Sequence, residues 1–226
     1  MSLVQKNVFD NWSEALKEGS SKDYPSLELV RLQIMHFNNM RKGNLLEYAC
    51  GSGCNTEHLI KLGYNVTALD ISSDALKFTK LRINNKKLNK KNLKTTKIKP
   101  GDKTLPFKDN SFEYIVAMSV LSLLGSEKSI KLLLKEFQRV LKPNGKIIVD
   151  INDQNSEFSK GFKEVYPNTF KVIQKNKKPF NAYCLKNSID FKKLIKNYFK
   201  IDDVGFSAHN VFKRRINEWI ISASSF

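Results

Sequence analysis

The chain has 226 residues, of which 41% are hydrophobic, and a formal net charge of +17. This length suits one α/β domain with insertions, and the apolar content is enough for a single core, which argues against disorder. No apolar run reaches the roughly 18 residues that a membrane-spanning helix needs. The three cysteines show no CxxC spacing, so we expect no disulfide framework and no metal site, and a reducing cytoplasm as the setting.

The positive charge raises the question of a nucleic-acid partner, because lysine and arginine neutralise phosphates. Only six of the 39 basic residues are arginine, the residue suited to bidentate phosphate contacts. Lysine is abundant together with asparagine and isoleucine, and all three are encoded by A/T-rich codons. We therefore favour genome composition over a nucleic-acid partner as the source of the charge.

The first 43 residues are predicted to be helical and precede the first core strand, a position that suits a lid. From Asn44 onwards, strand-like and helix-like segments alternate, which indicates βαβ units and a mostly parallel sheet. In chain order we predict strand 44–49, helix 56–62, strand 65–69, a helix capped by Ser72 or Ser73, a short strand within 86–99, strand 112–118, helix 129–141, strand 146–151, helix 188–198 and strands 200–208 and 218–223. Lys142 to Gly145 is interpreted as a glycine cap that closes the helix before it.

Residues 152–187 break this rhythm, because they are polar and aromatic with few regular apolar repeats. A stretch of this length inside a compact domain is more often a functional insertion than a plain loop. The expected organisation is therefore a helical lid over residues 1–43 and one α/β domain over 44–226, with a functional insertion at about 152–187.

The first candidate site is the turn from Cys50 to Gly53, where a buried strand opens into a helix. Glycines let the backbone turn sharply and approach a ligand, and the following helix offers unpaired N–H groups to a polar or anionic group. Dinucleotide-binding enzymes carry G-x-G-x-x-G here, but position 56 of this chain is Thr. Asp70 ends the second strand, where a carboxylate can accept hydrogen bonds from both ribose hydroxyls of a nucleoside.

Three blocks resemble the class I S-adenosylmethionine-dependent methyltransferases, in particular the broad type 11/type 25 small-molecule group. They are LLEYACGSG with VTALDIS downstream, LPFKDNSFEYIVA, and EFQRVLKPNGKIIV, and they span about Asn44 to Asp150. The last block is the most specific, because nicotinamide dehydrogenases lack it. The resemblance implies a Rossmann-like three-layer α/β sandwich with seven strands, the last one antiparallel. It also implies S-adenosylmethionine as methyl donor and S-adenosylhomocysteine as product.

The resemblance implies a set of cofactor-binding residues: Glu47, Gly51, Ser52, Gly53, Asn55, Asp70, Ile71, Asp102, Met118 and Ser119. Asp70 would hold the ribose and Ile71 would pack against adenine. Glu47, Gly51 and Gly53 would line the methionine portion of the donor. Met118 and Ser119 would lie beside the same end. Asp102 is the candidate for the adenine amine, but its spacing to LPF is about one residue short. A plain turn aspartate after Gly101 is the equal alternative.

The acceptor is the least defined part of the site. His209, between the last two predicted strands, is a weak candidate for a general base, which is needed only if the acceptor is protonated. Trp12, Tyr24 and Tyr183 are candidate pocket walls, although aromatic residues are more often simply core residues. The sequence has neither an NPPY motif after the fourth strand nor a PC dipeptide. We expect a small-molecule acceptor, with an RNA methyltransferase or a non-catalytic donor-binding module as alternatives.

Overall fold

The computed structural model describes residues 3–18, 23–37, 42–211 and 214–226, so parts of the expected lid lie outside the described residues. The helices are α1 (Leu3–Lys17), α2 (Leu27–His36), α3 (Cys54–Lys61), α4 (Ser73–Asn85), α5 (Glu127–Val140) and α6 (Ser188–Ile195). The strands are β1 (Asn44–Tyr48), β2 (Asn65–Asp70), β3 (Leu93–Lys97), β4 (Phe112–Ala117), β5 (Leu141–Asn152), β6 (Lys163–Tyr166), β7 (Thr169–Val172), β8 (Phe180–Tyr183), β9 (Lys200–Val211) and β10 (Arg214–Ser224).

Seven of these strands form one sheet in the order β3-β2-β1-β4-β5-β10-β9. All neighbours up to β5 pair in parallel, whereas β10 is antiparallel to both β5 and β9. The expected Rossmann-like sheet with an antiparallel last strand is therefore confirmed. From β1 the chain moves outward through β2 to β3 and then returns to β4 on the other side. Such a reversal opens a crevice at the carboxyl ends of β1 and β4.

Helices cover both faces of this sheet. One face packs against Phe137 of α5 and Phe191 of α6. The other face packs against Leu29 of α2, Leu59 of α3 and Ile83 of α4. All five side chains are fully buried. The three layers that result hold the carboxyl edge of the sheet rigid, and the connections that follow β1, β2, β4 and β5 emerge there.

The insertion is not irregular, because β6, β7 and β8 form a second, antiparallel sheet within it. An apolar cluster fixes this small sheet to the body of the protein. Phe170, Val172 and Phe180 of the insertion pack there with Val8 of α1 and Leu123, which follows β4. The insertion thus stands next to the carboxyl edge and is joined to the N-terminal helix.

The predicted glycine cap after α5 is wrong. The helix ends at Val140, and Leu141 is already extended, buried and paired with Phe112 of β4. A Cβ added to Gly145 would lie 2.7 Å from Leu141 Cγ and 2.8 Å from the Lys142 carbonyl oxygen. Gly145 is therefore required by close packing against Leu141 and Lys142 in the first part of β5. Helix α5 ends where Leu141 becomes extended and is buried beside Phe112.

We expect Gly145→Ala to lower the free energy of unfolding by about 1–3 kcal/mol, because the added methyl group overpacks this bend. Gly205→Ala is the matched control, since a Cβ there meets nothing within 4 Å. Urea denaturation of both variants measures the difference. Equal stability of the two variants would contradict the packing argument.

Candidate active site at the carboxyl edge

The turn between β1 and α3 has a backbone that most residues adopt with strain. Ala49, Gly51 and Gly53 have φ angles of 61°, 55° and 81°. A Cβ on Gly53 would lie 2.7 Å from Thr79 Oγ1 and 2.9 Å from Thr79 Cα, so only glycine allows this contact with α4. A Cβ on Gly51 would meet nothing within 4 Å. The loop is thus packed tightly behind Gly53 and open in front of Gly51.

The helix that follows this turn begins without a side-chain cap. Helices α2, α4, α5 and α6 begin after Ser26, Ser72, Ser126 and Asn187, whose side chains accept a hydrogen bond from the first turn. Helix α3 begins after Gly53, and no side-chain hydrogen bond caps it within the described part of the chain. A helix N-terminus without a side-chain cap is a position where an anionic or polar group of a ligand can bind.

Asp70, at the end of β2, lies beside this loop. Its Oδ2 accepts a hydrogen bond of 3.0 Å from the Gly51 N–H, and its Oδ1 accepts one of 2.8 Å from the Ser72 N–H. Burial raises the pKa of Asp70, and the N–H groups of Ser72 and Gly51 oppose that shift. Each carboxylate oxygen has a further lone pair, so the group can still accept from two hydroxyls.

Glu47, on β1, is a second acidic residue under the loop, and it is buried. The hydroxyl of Thr56 donates to Glu47 Oε2, and the side chain of Asn55 also bonds to this carboxyl group. Burial raises the pKa of Glu47 to about 8 despite the bond from Thr56. The Asn55 Oδ1 accepts from the Ser26 N–H at 2.9 Å, so the loop is tied to the start of α2.

The other wall of the crevice follows β4. Met118 is buried, and Ser119 is exposed with a φ of 57°. The Ser119 N–H donates to Asp150 Oδ1 at 2.6 Å. Asp150 was not among the expected site residues. Its signal in the sequence was an acidic residue inside the otherwise apolar strand KIIVDI.

The adenine end of the crevice is less sharply defined. Ile71 is half-buried and packs against the core cluster of the α5 face. Asp102 is exposed, and its Oδ2 accepts from the Lys99 N–H at 2.8 Å, as a turn aspartate does. After burial, the charges of Asp70 and Asp102 also raise the pKa of Tyr48. Asp102 therefore lies close enough for its charge to affect Tyr48 at the end of β1, but its contact with adenine stays a prediction.

Helix α1 crosses the carboxyl edge from α4 to the insertion. Ser13 Oγ donates to Ser72 Oγ at 3.2 Å, and Asn11 exchanges two hydrogen bonds with the backbone of Lys178. Val8, Trp12 and Leu16 share one face of the helix because they are four residues apart. Val8 and Leu16 are each 8% exposed, yet Trp12 between them is 47% exposed. Trp12 thus borders open space on the inward side of α1.

The structure separates the other aromatic candidates. Tyr183 is buried, and its hydroxyl donates to Glu127 Oε2 at 3.1 Å, which makes it part of the core beneath the insertion. Tyr24 is 70% exposed in the segment before α2. No contact described for Tyr183 or Tyr24 places its side chain in the crevice.

His209 lies within β9, opposite Ile216, and not between the last two strands as expected. Its Nε2 is 2.8 Å from Glu28 Oε1, and Ser207 Oγ donates to the same oxygen at 2.7 Å. Burial raises the pKa of Glu28, but the bonds from His209, Ser207 and Ser26 outweigh this and lower it to about 2. His209 therefore joins β9 to the start of α2, which Ser26 in turn connects to Asn55 of α3.

Comparison with known proteins identifies the family of this chain. Residues 46–149 match the family model described as a methyltransferase domain. An uncharacterised protein of Methanocaldococcus jannaschii is 32% identical over 183 residues, which cover 75% of this chain and 68% of the relative. A demethylmenaquinone methyltransferase of Listeria welshimeri is 28% identical over 189 residues, with 78% and 76% covered.

The chain belongs to the class I S-adenosylmethionine-dependent methyltransferases. Its fold agrees with the structure of a Burkholderia thailandensis 1,6-didemethyltoxoflavin-N1-methyltransferase bound to 1,6-didemethyltoxoflavin and S-adenosylhomocysteine. The TM-score is 0.74 at 10% identity, with all of this chain and 91% of that chain covered. This methyltransferase therefore uses S-adenosylmethionine as its methyl donor.

Two further observations concern metal binding and membrane-spanning helices in the described part of the chain. Within the described ranges, no group of three or more His, Cys, Asp or Glu side chains could hold a metal ion. No helix of those ranges is long and apolar enough to cross a bilayer.

We expect the stability of the ligand-free methyltransferase to fall between pH 4.5 and pH 8 because of Glu47. The folded state keeps the Glu47 proton up to a pKa of about 8, whereas a glutamate in the unfolded chain loses it near 4.5. The folded state therefore binds more protons over this interval, so its stability is present below pH 4.5 and is lost as the pH rises through 8.

Chemical denaturation of the parent and of Glu47→Gln at several pH values measures this effect. Gln keeps the size of the side chain but does not ionise, so the slope should become smaller. An unchanged slope in Glu47→Gln would show that another group is responsible.

Proposed function

We propose that this methyltransferase transfers the methyl group of S-adenosylmethionine to a small molecule held in the crevice between β1 and β4. The observation that carries the proposal is the open N-terminus of α3 beside the buried carboxylate of Asp70. The N-terminus of α3 suits an anionic group, and Asp70 suits two hydroxyls. The donor has a carboxylate at one end and a ribose in the middle. The residues present therefore fit the donor.

We propose these roles for the residues around the donor. The N–H groups at Ser52 and at the start of α3 face the carboxylate, and Asp70 accepts from the ribose hydroxyls. Gly51 leaves room for the ligand, because nothing lies within 4 Å of its Cβ position. Met118 and Ser119 lie beside the methionine end, and Ile71 and Asp102 lie at the adenine end. When bound, the donor supplies an activated methyl group on a sulfonium, and the protein supplies alignment and a dry site.

The roof of the crevice supports a small acceptor. Helix α1 spans from Ser72 to Lys178, and the insertion closes the other end of this span. We propose that α1 is the lid and that Trp12 lines the acceptor pocket. Helix α2, which was also expected in the lid, packs instead on the sheet. The relatives from Listeria and Burkholderia are named as methyltransferases of demethylmenaquinone and of 1,6-didemethyltoxoflavin, which supports an acceptor that is not a nucleic acid.

His209 is our proposed general base if the acceptor carries a proton. The His209 Nε2 is 2.8 Å from Glu28 Oε1, which would orient the ring and leave Nδ1 to accept a proton. The buried, free cysteines Cys50, Cys54 and Cys184 agree with work in a reducing cytoplasm, which we also propose.

One observation favours an RNA methyltransferase as a second candidate. Residues 75–101 contain nine lysines, Arg82 and no acidic residue, and all nine lysines are exposed. They lie along α4 and β3, at one edge of the sheet. Lysines on an edge strand also prevent pairing with other sheets. Because this edge is on the β2–β3 side of the donor, away from the insertion, we favour the small acceptor.

Transfer of a labelled methyl group tests the proposal. We incubate the protein with labelled donor and either a metabolite extract or total RNA, and expect label in the low-mass fraction. Asp70→Ala should reduce this transfer at limiting donor, because the unpaired ribose hydroxyls cost roughly 1–3 kcal/mol of affinity. Asp190→Ala, which removes a surface carboxylate paired with Lys193, is the control and should behave as the parent does.

The other outcomes are equally informative. Label in RNA that disappears steeply with added salt would establish the second candidate instead. Donor binding without transfer to either pool would indicate a non-catalytic module and overturn the proposed activity.

A further inference from the structure

Arg82 of α4 is a charged side chain that contacts the loop from Cys50 to Gly53, and it is only 12% exposed. Its Nε donates to the Ser52 carbonyl oxygen at 3.0 Å, and its Nη1 donates to Glu57 Oε2 at 3.2 Å. Its Nη2 lies 3.5 Å from Asp23 Oδ1. One guanidinium thus connects the loop, α3 and the segment before α2.

Thr79, one turn earlier on α4, acts on the neighbouring peptide group. Its Oγ1 donates to the Gly51 carbonyl oxygen at 3.2 Å. In a trans peptide the carbonyl of one residue and the N–H of the next point in opposite directions. When α4 holds the Gly51 carbonyl, the Ser52 N–H is directed away from α4. The next N–H, of Gly53, is held by the Cys50 carbonyl oxygen at 3.0 Å.

Glu57 makes this arrangement difficult to break. Its side chain is 10% exposed and also pairs with Lys61 on the next turn of α3. Burial opposes ionisation of Glu57, but Lys61 and Arg82 together lower its pKa. A nearly buried carboxylate keeps its cations, because an uncompensated charge in that position is strongly destabilising. Arg82 is therefore held in place from the side of α3 while it holds the loop.

We infer that Arg82 is a positioning residue for the methyl donor: it holds the carbonyl group of the Ser52–Gly53 peptide, and together with Thr79 it fixes the loop backbone. Arg82 thereby sets donor affinity without touching the donor. This inference rests on the proposed donor site and goes beyond it, because Arg82 lies on a helix behind the loop. Its effect falls on the binding of S-adenosylmethionine and S-adenosylhomocysteine and leaves the acceptor's KM unchanged.

The test compares two arginines with similar surroundings. Arg139 also donates to two backbone carbonyls, of Leu105 and Phe107, and pairs with Glu136 and Asp109. It braces a different segment, so Arg139→Met is the matched control. Loss of one charged hydrogen bond is worth about tenfold in affinity. We therefore expect Arg82→Met to raise the Kd for S-adenosylhomocysteine about tenfold, Arg82→Lys to restore part of the loss, and Arg139→Met to stay within about twofold.

Arg82→Met leaves Glu57 with a weaker partner and could lower stability. The double variant Arg82→Met/Glu57→Gln removes both charges and should recover the melting temperature while keeping the weak binding. A double variant that is as stable as the parent and binds S-adenosylhomocysteine equally well would overturn the inference.

Hydrogen exchange separates this inference from the donor site itself. In the ligand-free protein, amides of residues 50–55 should exchange faster in the double variant than in the parent, and those of residues 105–109 should not change. This readout needs no donor. If the parent fails to bind S-adenosylhomocysteine, the proposed function is wrong. Unchanged exchange at residues 50–55 would independently reject the inference that Arg82 holds this loop.

Discussion

The contact between Gly53 and Thr79 is the constraint on which the site depends. No side chain fits between the loop and α4 at this point, because a Cβ would lie 2.9 Å from the Thr79 backbone. The loop therefore lies directly on α4, and its left-handed backbone brings the start of α3 to the carboxyl edge. The strand order supplies the rest, since the reversal opens a crevice at the carboxyl ends of β1 and β4, where the loop to this helix begins.

Two carboxyl groups lie within this arrangement and differ in environment. Asp70 is held by two backbone N–H groups, which favour its charged form, although burial opposes it. Glu47 lies deeper and keeps its proton to a higher pH. A carboxyl group that accepts hydrogen bonds thus lies next to the crevice, and a second carboxyl group with a raised pKa lies under the loop.

The core of the fold could be predicted from local patterns. The apolar runs of β1, β2, β4 and β5 and the helical spacing of α4 and α5 are visible without tertiary information. The small sheet of the insertion was missed because β6 is almost wholly exposed and β7 has only four residues. The end of α5 was misplaced because Leu141 enters the core as a strand, and this preference depends on its partner Phe112.

The site could be predicted only where residues are close in sequence. The glycine loop and Asp70 carry recognisable spacing, and the structure places them together. Arg82, which holds Ser52 from 30 residues away, and Ser26, which holds Asn55 from 29 away, have no local signature. Tyr183 is buried with its hydroxyl on Glu127, and its expected place in the wall of the acceptor pocket stays a prediction.

The most direct test of this account is a crystal structure of the protein with S-adenosylhomocysteine. We expect the carboxylate of the ligand at the N-terminus of α3, within hydrogen-bond distance of the Ser52 N–H, and both ribose hydroxyls on Asp70. Helix α1 should cover the ligand, with Trp12 facing it. Density for the ligand elsewhere, or a ribose that does not contact Asp70, would contradict the account.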